Sequence, residues 1–194
     1  MMAKSVKKDL FFKETLRLIH EKGFRATTMR DIAERMNFEV ANIYNYIDSK
    51  DALLENYVIG ITKEFQTYMD NIIDSTFSPK DKLRMVISKH IQFTFEKPYQ
   101  LALMANEWRN LKEPALSEYV AKRSDYIFKI ASILEDGVEK GEFRPMNIEI
   151  ATNSIVSSLR WSYNKYVDNS NTSINPIELE KQFMDFIFNG VKAS

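Results

Sequence analysis

The stretch TTMRDIAERMNFEVANIYNYIDSKDALL, Thr27 to Leu54, decides how the rest of the chain is read. It predicts a helix, a tight turn, a second short helix and the start of a third. Thr28 stands where its hydroxyl accepts a bond from the amide three residues on, and Asp31 returns one to the Thr28 amide, which satisfies orphan donors at a helix start. Ile32, Ala33 and Met36 then share one face, and Phe38 and Ile43 supply the apolar residues that fix the angle of the following helix. Asn37 falls at the turn, where a left-handed backbone is required and asparagine tolerates it better than any residue but glycine. Two helices this short do not stand alone. The arrangement is a helix-turn-helix, which points to DNA.

Outward from that stretch, the composition is helical. Five Gly and five Pro among 194 residues, with abundant Leu, Ile, Phe, Glu and Lys, favour helices over sheets, and no segment alternates as a strand. The length allows one substantial core, or a small domain fused to a larger one. With no cysteine, disulfides and thiol chemistry are excluded, and His20 and His90 are too few for a structural zinc site. A reducing cytoplasm is the simplest compartment; the amino terminus, MMAKSVKKDLFF, offers no apolar signal stretch, and no uncharged run of about 18 residues occurs. Basic and acidic residues cancel, 27 against 27, but residues 1–50 carry ten Lys or Arg against seven Asp or Glu, net +3, which leaves −3 on the remainder. That bias alone does not separate a DNA-binding face from a solvated surface; the motif does.

The prolines fall at the starts of helices, because proline suits a first turn and interrupts an interior. Helices are expected at about 5–22, 28–36, 39–46, 49–74, 79–96, 98–111, 114–140, 147–168 and 176–192. Ser78-Pro79 and Asn175-Pro176 read as cap-plus-proline starts, with Glu178 completing a box with Asn175, and Gly23 and Gly141 read as helix stops. The polar stretch DNSNTS at 168–173 reads as a loop. The fourth helix, with its stripe of Tyr57, Val58, Ile61, Phe65, Tyr68 and Ile72, is expected to span roughly 35–40 Å and to act as a lever from the DNA reader into the second domain.

The segment GFRATTMRDIAERMNFEVANIYNYIDSKDALL resembles the amino-terminal signature of the tetracycline-repressor (TetR) family of bacterial regulators. The likeness rests on Gly23, the Thr27-Thr28 pair, Asp31-Ile32-Ala33, Ile43-Tyr44, Tyr46, Ser49-Lys50-Asp51 and Leu53-Leu54, about the first quarter of the chain. Asn37 and Ala41 stand where the family often has glycine, and Ile47 where it usually has phenylalanine, which leaves the sequence preference open. The resemblance implies an all-α protein of about nine helices. Residues 1–50 would form a three-helix DNA-binding domain and residues 51–194 a larger helical domain for ligand binding and dimerisation. It also implies a homodimer on a palindromic operator, repression as the usual outcome, and no cofactor. In the expected recognition helix, Glu39, Asn42 and Asn45 are placed for base edges, and Val40 and Ala41 for thymine methyls. Thr28, Tyr44, Tyr46 and Lys50 would contact phosphates, with Tyr46 equally readable as core. Lys4, Lys7, Lys8 and Arg30 would add nonspecific attraction.

Residues 79–168 carry many large adaptable side chains, most of them core. Among them stand His90, Glu107, Arg109, Arg123 and Arg160, and a few polar groups in an apolar cavity orient a small ligand; the favoured reading of each is nonetheless a surface charge or an ion pair in the dimer interface. The runs EWRNLKEP, SEYVAKRSDYIFKIASILEDGVEKGEFRP and SIVSSLRWSYNKY resemble the branch of the family that responds to fatty acyl coenzyme A. That likeness implies an acyl chain among Phe93, Met104, Trp108 and Tyr126. Arg109, Arg123 or Arg160 would meet phosphates, and Trp161 would stack on the base. A multidrug or other lipophilic effector would use the same apolar lining. For dimerisation, stripes of Ile155, Leu159, Phe183, Phe186, Ile187 and Gly190 on the last two helices are expected to form a four-helix interface, unless the same stripes bury into the monomer. An enzyme is disfavoured because no Glu-x-x-His pair, no nucleophile grouping and no phosphate-cradling glycine loop occurs. A nonspecific architectural DNA protein would carry a more basic surface and no large apolar domain.

Overall fold

The computed structural model describes residues 2–167 and 175–190, with side chains from residue 8 onward. Nine α-helices occur among these residues: α1 (Met2–Lys22), α2 (Met29–Met36), α3 (Val40–Ile43), α4 (Lys50–Ile73), α5 (Pro79–Glu96), α6 (Pro98–Glu107), α7 (Ala115–Glu139), α8 (Ile148–Lys165) and α9 (Pro176–Asn189). No strand is found among the described residues, and no helix there is long and apolar enough to cross a membrane. The expected 168–173 loop, residues 191–192 of the expected final helix and the Lys4 and Lys7 side chains lie outside the described residues.

The helices begin where the chain supplies an acceptor. Thr28, Ser78, Asn147 and Asn175 each cap, their side-chain oxygens accepting from the amides of Asp31, Asp81, Ile150 and Glu178. Pro79 and Pro176 come directly after two of these caps in the first turn, where no amide is missed. Gly23 and Gly141 leave helices in the left-handed region, at φ 83° and 71°.

Two expected helices are shorter in the structure. The recognition element forms only one α-turn, Val40–Ile43, and Tyr44 to Tyr46 continue as tighter turns in which Asn45 N donates to Asn42 O and Tyr46 N to Ile43 O. Glu39 makes no side-chain cap, and asparagines at 42 and 45 favour turns over helix. The helix expected to reach residue 111 ends at Glu107, and a 3-10 turn, Trp108–Asn110, comes next.

The chain packs as two compact units: residues 1–61 with 99–119, and residues 62–98 with 120–194. Helix α4 contributes to both. The first unit is built on Phe11, Ile19, Ile32, Ile43, Leu53, Leu54 and Val58, joined by Leu103, Leu111 and Tyr119 from the later segment. The second is built on Met69, Ile72, Val86, Ile87, Ile91, Ile130, Leu159 and Tyr166, with α5 packed along α9 and α8. Gly137 is needed for contact rather than for backbone freedom. Its carbonyl accepts from the amides of Glu142 and Phe143, and a Cβ there would stand 2.1 Å from Cδ2 of the Phe143 ring.

Candidate DNA-reading surface and effector site

The reader is assembled from local bonds. Thr28 Oγ1 accepts from Asp31 N at 3.1 Å, and Asp31 Oδ2 accepts from Thr28 N at 2.7 Å, closing the reciprocal box at the start of α2. Lys22, whose Nζ lies 2.6 Å from Asp31, and Thr28 hold the Asp31 carboxyl well below the usual carboxylate range, so it stays an acceptor. Asn37 ends α2 at φ 53°, and its amide bonds back to Ala33 and Glu34. Ile32 and Ile43 are fully buried and pin α2 and α3 to the core.

Around buried Ile43, six residues face solvent: Glu39, Val40, Ala41, Asn42, Tyr44 and Asn45. Tyr44 is 56% exposed. The set combines two amides, a carboxylate, a phenol and two small apolar groups, which is suited to base edges, thymine methyls and phosphates. Three other residues singled out from the sequence have internal partners. Tyr46 is half-buried, with its ring stacked on Phe11 at 4.4 Å and on Phe38 at 5.8 Å. Lys50 Nζ donates to the carbonyls of Phe24 and Thr27 at 2.5 and 2.6 Å and lies over the Phe24 ring. The Thr28 hydroxyl is engaged by Asp31. Arg30 is exposed.

The effector residues named from the sequence divide between the units. Met104 and Trp108 pack on the first core, Trp108 against Tyr119 at 5.3 Å, and exposed Arg109 lies over the Trp108 ring. Glu107 is also here, bound to the Phe24 amide. His90, Phe93, Arg123, Tyr126, Arg160 and Trp161 belong to the second unit. Trp161 is 57% exposed, whereas Arg123 and Arg160 are half-buried.

The second unit brings together a polar cluster that only partly figured in the sequence reading. His90 is buried, its Nδ1 bonded to the Tyr163 hydroxyl and its Nε2 to the Tyr126 hydroxyl at 2.9 Å. Phe65 lies 4.8 Å from the imidazole and 4.9 Å from Phe93. Thr94 donates to the His90 carbonyl at 2.8 Å and meets Ser162 at 3.1 Å. Burial pushes the imidazole down to about 3 and the Tyr126 phenol upward, so both are neutral near pH 7. One tyrosine therefore donates to the bare ring nitrogen while the other accepts from its N–H. Tyr163, Thr94 and Ser162 were missed in the sequence. Their signal was the four-residue step from His90 to Thr94 and the Ser162-Tyr163 pair on a facing helix, legible only once α5 and α8 are known to pack.

Of the expected interface stripes, Ile155, Leu159 and Phe183 are buried within the second core, while Phe186 is 51% exposed. Phe186 lines a groove of about 610 Å³ with Ile150, Ser154 and Ser158 of α8 and Phe143 and Arg144.

Two family models match the chain. The family model "Bacterial regulatory proteins, tetR family" matches residues 11–57, and "Tetracyclin repressor-like, C-terminal domain" matches residues 76–191. The HTH-type transcriptional repressor KstR2 of Mycobacterium tuberculosis is 26% identical over 126 residues, 64% of this chain. The chain spans 63% of that relative's length in the match. The solved structure of ketosteroid transcriptional regulator KstR2 of M. tuberculosis superposes with a TM-score of 0.85 at 19% identity, covering 96% of this chain and 95% of that one. AibR, solved in complex with isovaleryl coenzyme A and operator DNA, gives a TM-score of 0.76 at 17% identity, covering 94% and 98%. These structures share the fold. With the two family models covering the helix-turn-helix and most of the chain beyond α4, the protein belongs to the tetR family of bacterial regulatory proteins, a family of transcriptional regulators and not of enzymes.

Proposed function

We propose that this protein is a cytoplasmic repressor that binds a palindromic operator as a homodimer and is released by a small hydrophobic effector, an acyl-coenzyme A thioester. The observation that carries the DNA reading is the solvent-facing set from Glu39 to Asn45 hung on a single buried residue, Ile43. Glu39, Val40, Ala41, Asn42 and Asn45 read bases. Tyr44 takes a phosphate, with Thr28, Tyr46 and Lys50 at the edge of the contact. In this reading residues 1–50 are the DNA-binding domain and residues 51–194 bind ligand and dimerise, the partner seated on α8 and α9 where Ile150 and Phe186 are exposed. The effector assignment draws on AibR's isovaleryl coenzyme A. Within the second unit, an acyl chain would pack beside Phe93 and Tyr126 with His90, Arg123 and Arg160 would face phosphates, and Trp161 the base; Met104, Trp108 and Arg109 belong to the first unit. An effector that fits only one of two conformations shifts operator binding by its differential affinity for them.

A second reading, a sensor of uncharged lipophilic molecules, is favoured by the neutral His90–Tyr126–Tyr163 cluster, which offers hydrogen bonds without charge. Native mass spectrometry of the purified protein, with denaturing identification of any retained molecule, separates the two. Acyl coenzyme A supports the first reading, and a neutral lipophile the second. For the reader, Tyr44→Ala should weaken binding to a duplex selected from a random pool by roughly tenfold, the loss of one charge-assisted phosphate contact, with helix content unchanged. Undiminished affinity removes Tyr44 from the contact.

A further inference from the structure

The turn that joins α1 to α2 is held from outside the helix-turn-helix. Gly23 leaves α1 in the left-handed region, and the amide of Phe24 turns away from the helix it has just left. It donates to Glu107 Oε1 at 3.1 Å, across 83 residues of sequence. The other carboxylate oxygen accepts from Asn110 Nδ2 at 2.7 Å, and Asn110 Oδ1 accepts from Arg25 Nε at 2.7 Å. The 3-10 turn after α6 places Asn110 three residues beyond Glu107, so the two side chains bond each other while both reach the same turn. On the opposite polarity of that turn, Lys50 donates to the carbonyls of Phe24 and Thr27. Amide, guanidinium and two carbonyls of one short connection are thus all engaged, and the connection ends at Thr28, the cap of α2.

We infer that Glu107 is a positioning residue for DNA reading: it touches no base, and with Asn110 it fixes the α1–α2 turn from which α2 and α3 take their orientation. The reasoning is geometric. A carboxylate is a stronger acceptor for an amide than a neutral group, and the half-buried Glu107 has both oxygens committed. Removing it leaves the Phe24 amide without its acceptor and Asn110 without the partner that aims it at Arg25, so the turn gains freedom while Phe24, 4% exposed, stays in the core. This rests on the reading of Glu39 to Asn45 as the DNA contact.

The test uses the full-length protein, Glu107→Ala, Glu107→Gln and Asn110→Ala, with a duplex selected by the wild type from a random pool and a scrambled duplex of equal length. Hydrogen exchange across residues 23–28 reports the turn. Glu107→Ala should lose protection there and about tenfold in affinity for the selected duplex, with no change on the scrambled one. Glu107→Gln, which keeps an acceptor for Phe24, should stay within about threefold of wild type. If Glu107→Ala does not fold, Asn110→Ala should show the same two changes at smaller size. Wild-type affinity in a variant whose turn exchanges freely overturns the inference, as does equal loss with the glutamine. A wild type that selects no sequence overturns the DNA reading itself.

Discussion

Acidification from pH 7 toward pH 5 should destabilise this protein through His90. The imidazole is enclosed by the Tyr163 and Tyr126 hydroxyls and the Phe65 ring, and burial pushes it down to about 3 from an ordinary value of 6.5. Between those values the unfolded chain takes up a proton that the folded chain refuses, so stability is lost as pH falls from about 6.5 toward 3. Above 6.5 the group contributes no pH dependence. For a single site with these two values, the cost between pH 7 and pH 5 is about 2 kcal/mol, and the slope approaches about 1.4 kcal/mol per pH unit. The assay is urea unfolding followed by helical circular dichroism at pH 7 and pH 5, at one protein concentration because association shifts apparent stability. Wild type and His90→Gln are compared. Carboxylates contribute equally to both, so the difference of differences isolates the imidazole. Wild type should lose about 2 kcal/mol more than His90→Gln on going to pH 5. Equal losses would refute the argument, because they would mean that the folded protein accommodates the charged ring.

Three further outcomes come from packing and backbone geometry. Gly137→Ala places a methyl 2.1 Å from Cδ2 and 2.3 Å from Cε2 of Phe143, and should lower the urea midpoint by the equivalent of about 1–3 kcal/mol; an unchanged midpoint would show that the ring moves aside freely. Thr152 has a buried hydroxyl with no hydrogen-bond partner among the described residues, so Thr152→Val should raise stability by about 1 kcal/mol, and a loss of stability would reveal a partner for that oxygen. Asn37, at φ 53°, should tolerate glycine, whereas Asn37→Val should cost about 1–2 kcal/mol and loosen the helix-turn-helix; thermal unfolding of the two variants side by side reads the difference.

Much of the first unit was legible because its signals are local. Thr28 and Asp31 are three residues apart, and Asn37 comes directly after α2, so capping and left-handed tolerance identify both without knowledge of the rest. The recognition element was read too long, since apolar spacing does not register that asparagines at 42 and 45 prefer turns. Lys50 and Tyr46 show a different gap. Their types suit phosphate contact, and in the fold the Lys50 ammonium also meets the Phe24 and Thr27 carbonyls and the Tyr46 ring stacks on Phe11 and Phe38, partners no spacing rule would assign. The interface stripes carry the same ambiguity. Ile155, Leu159 and Phe183 have helical periodicity whether they meet a partner or their own core, and in the structure they meet their own core.

By itself the sequence determined the helices, their caps and stops, and the helix-turn-helix, because hydrogen bonds over three or four residues and the 3.6-residue period are written in neighbouring positions. Only the tertiary structure decided that residues 99–119 pack with the DNA-reading helices, that Glu107 takes the Phe24 amide, and that His90 sits neutral between Tyr126 and Tyr163. Those partners lie 83, 36 and 73 residues apart. Such contacts depend on which helix faces pack together, which the pattern along any one helix leaves undetermined.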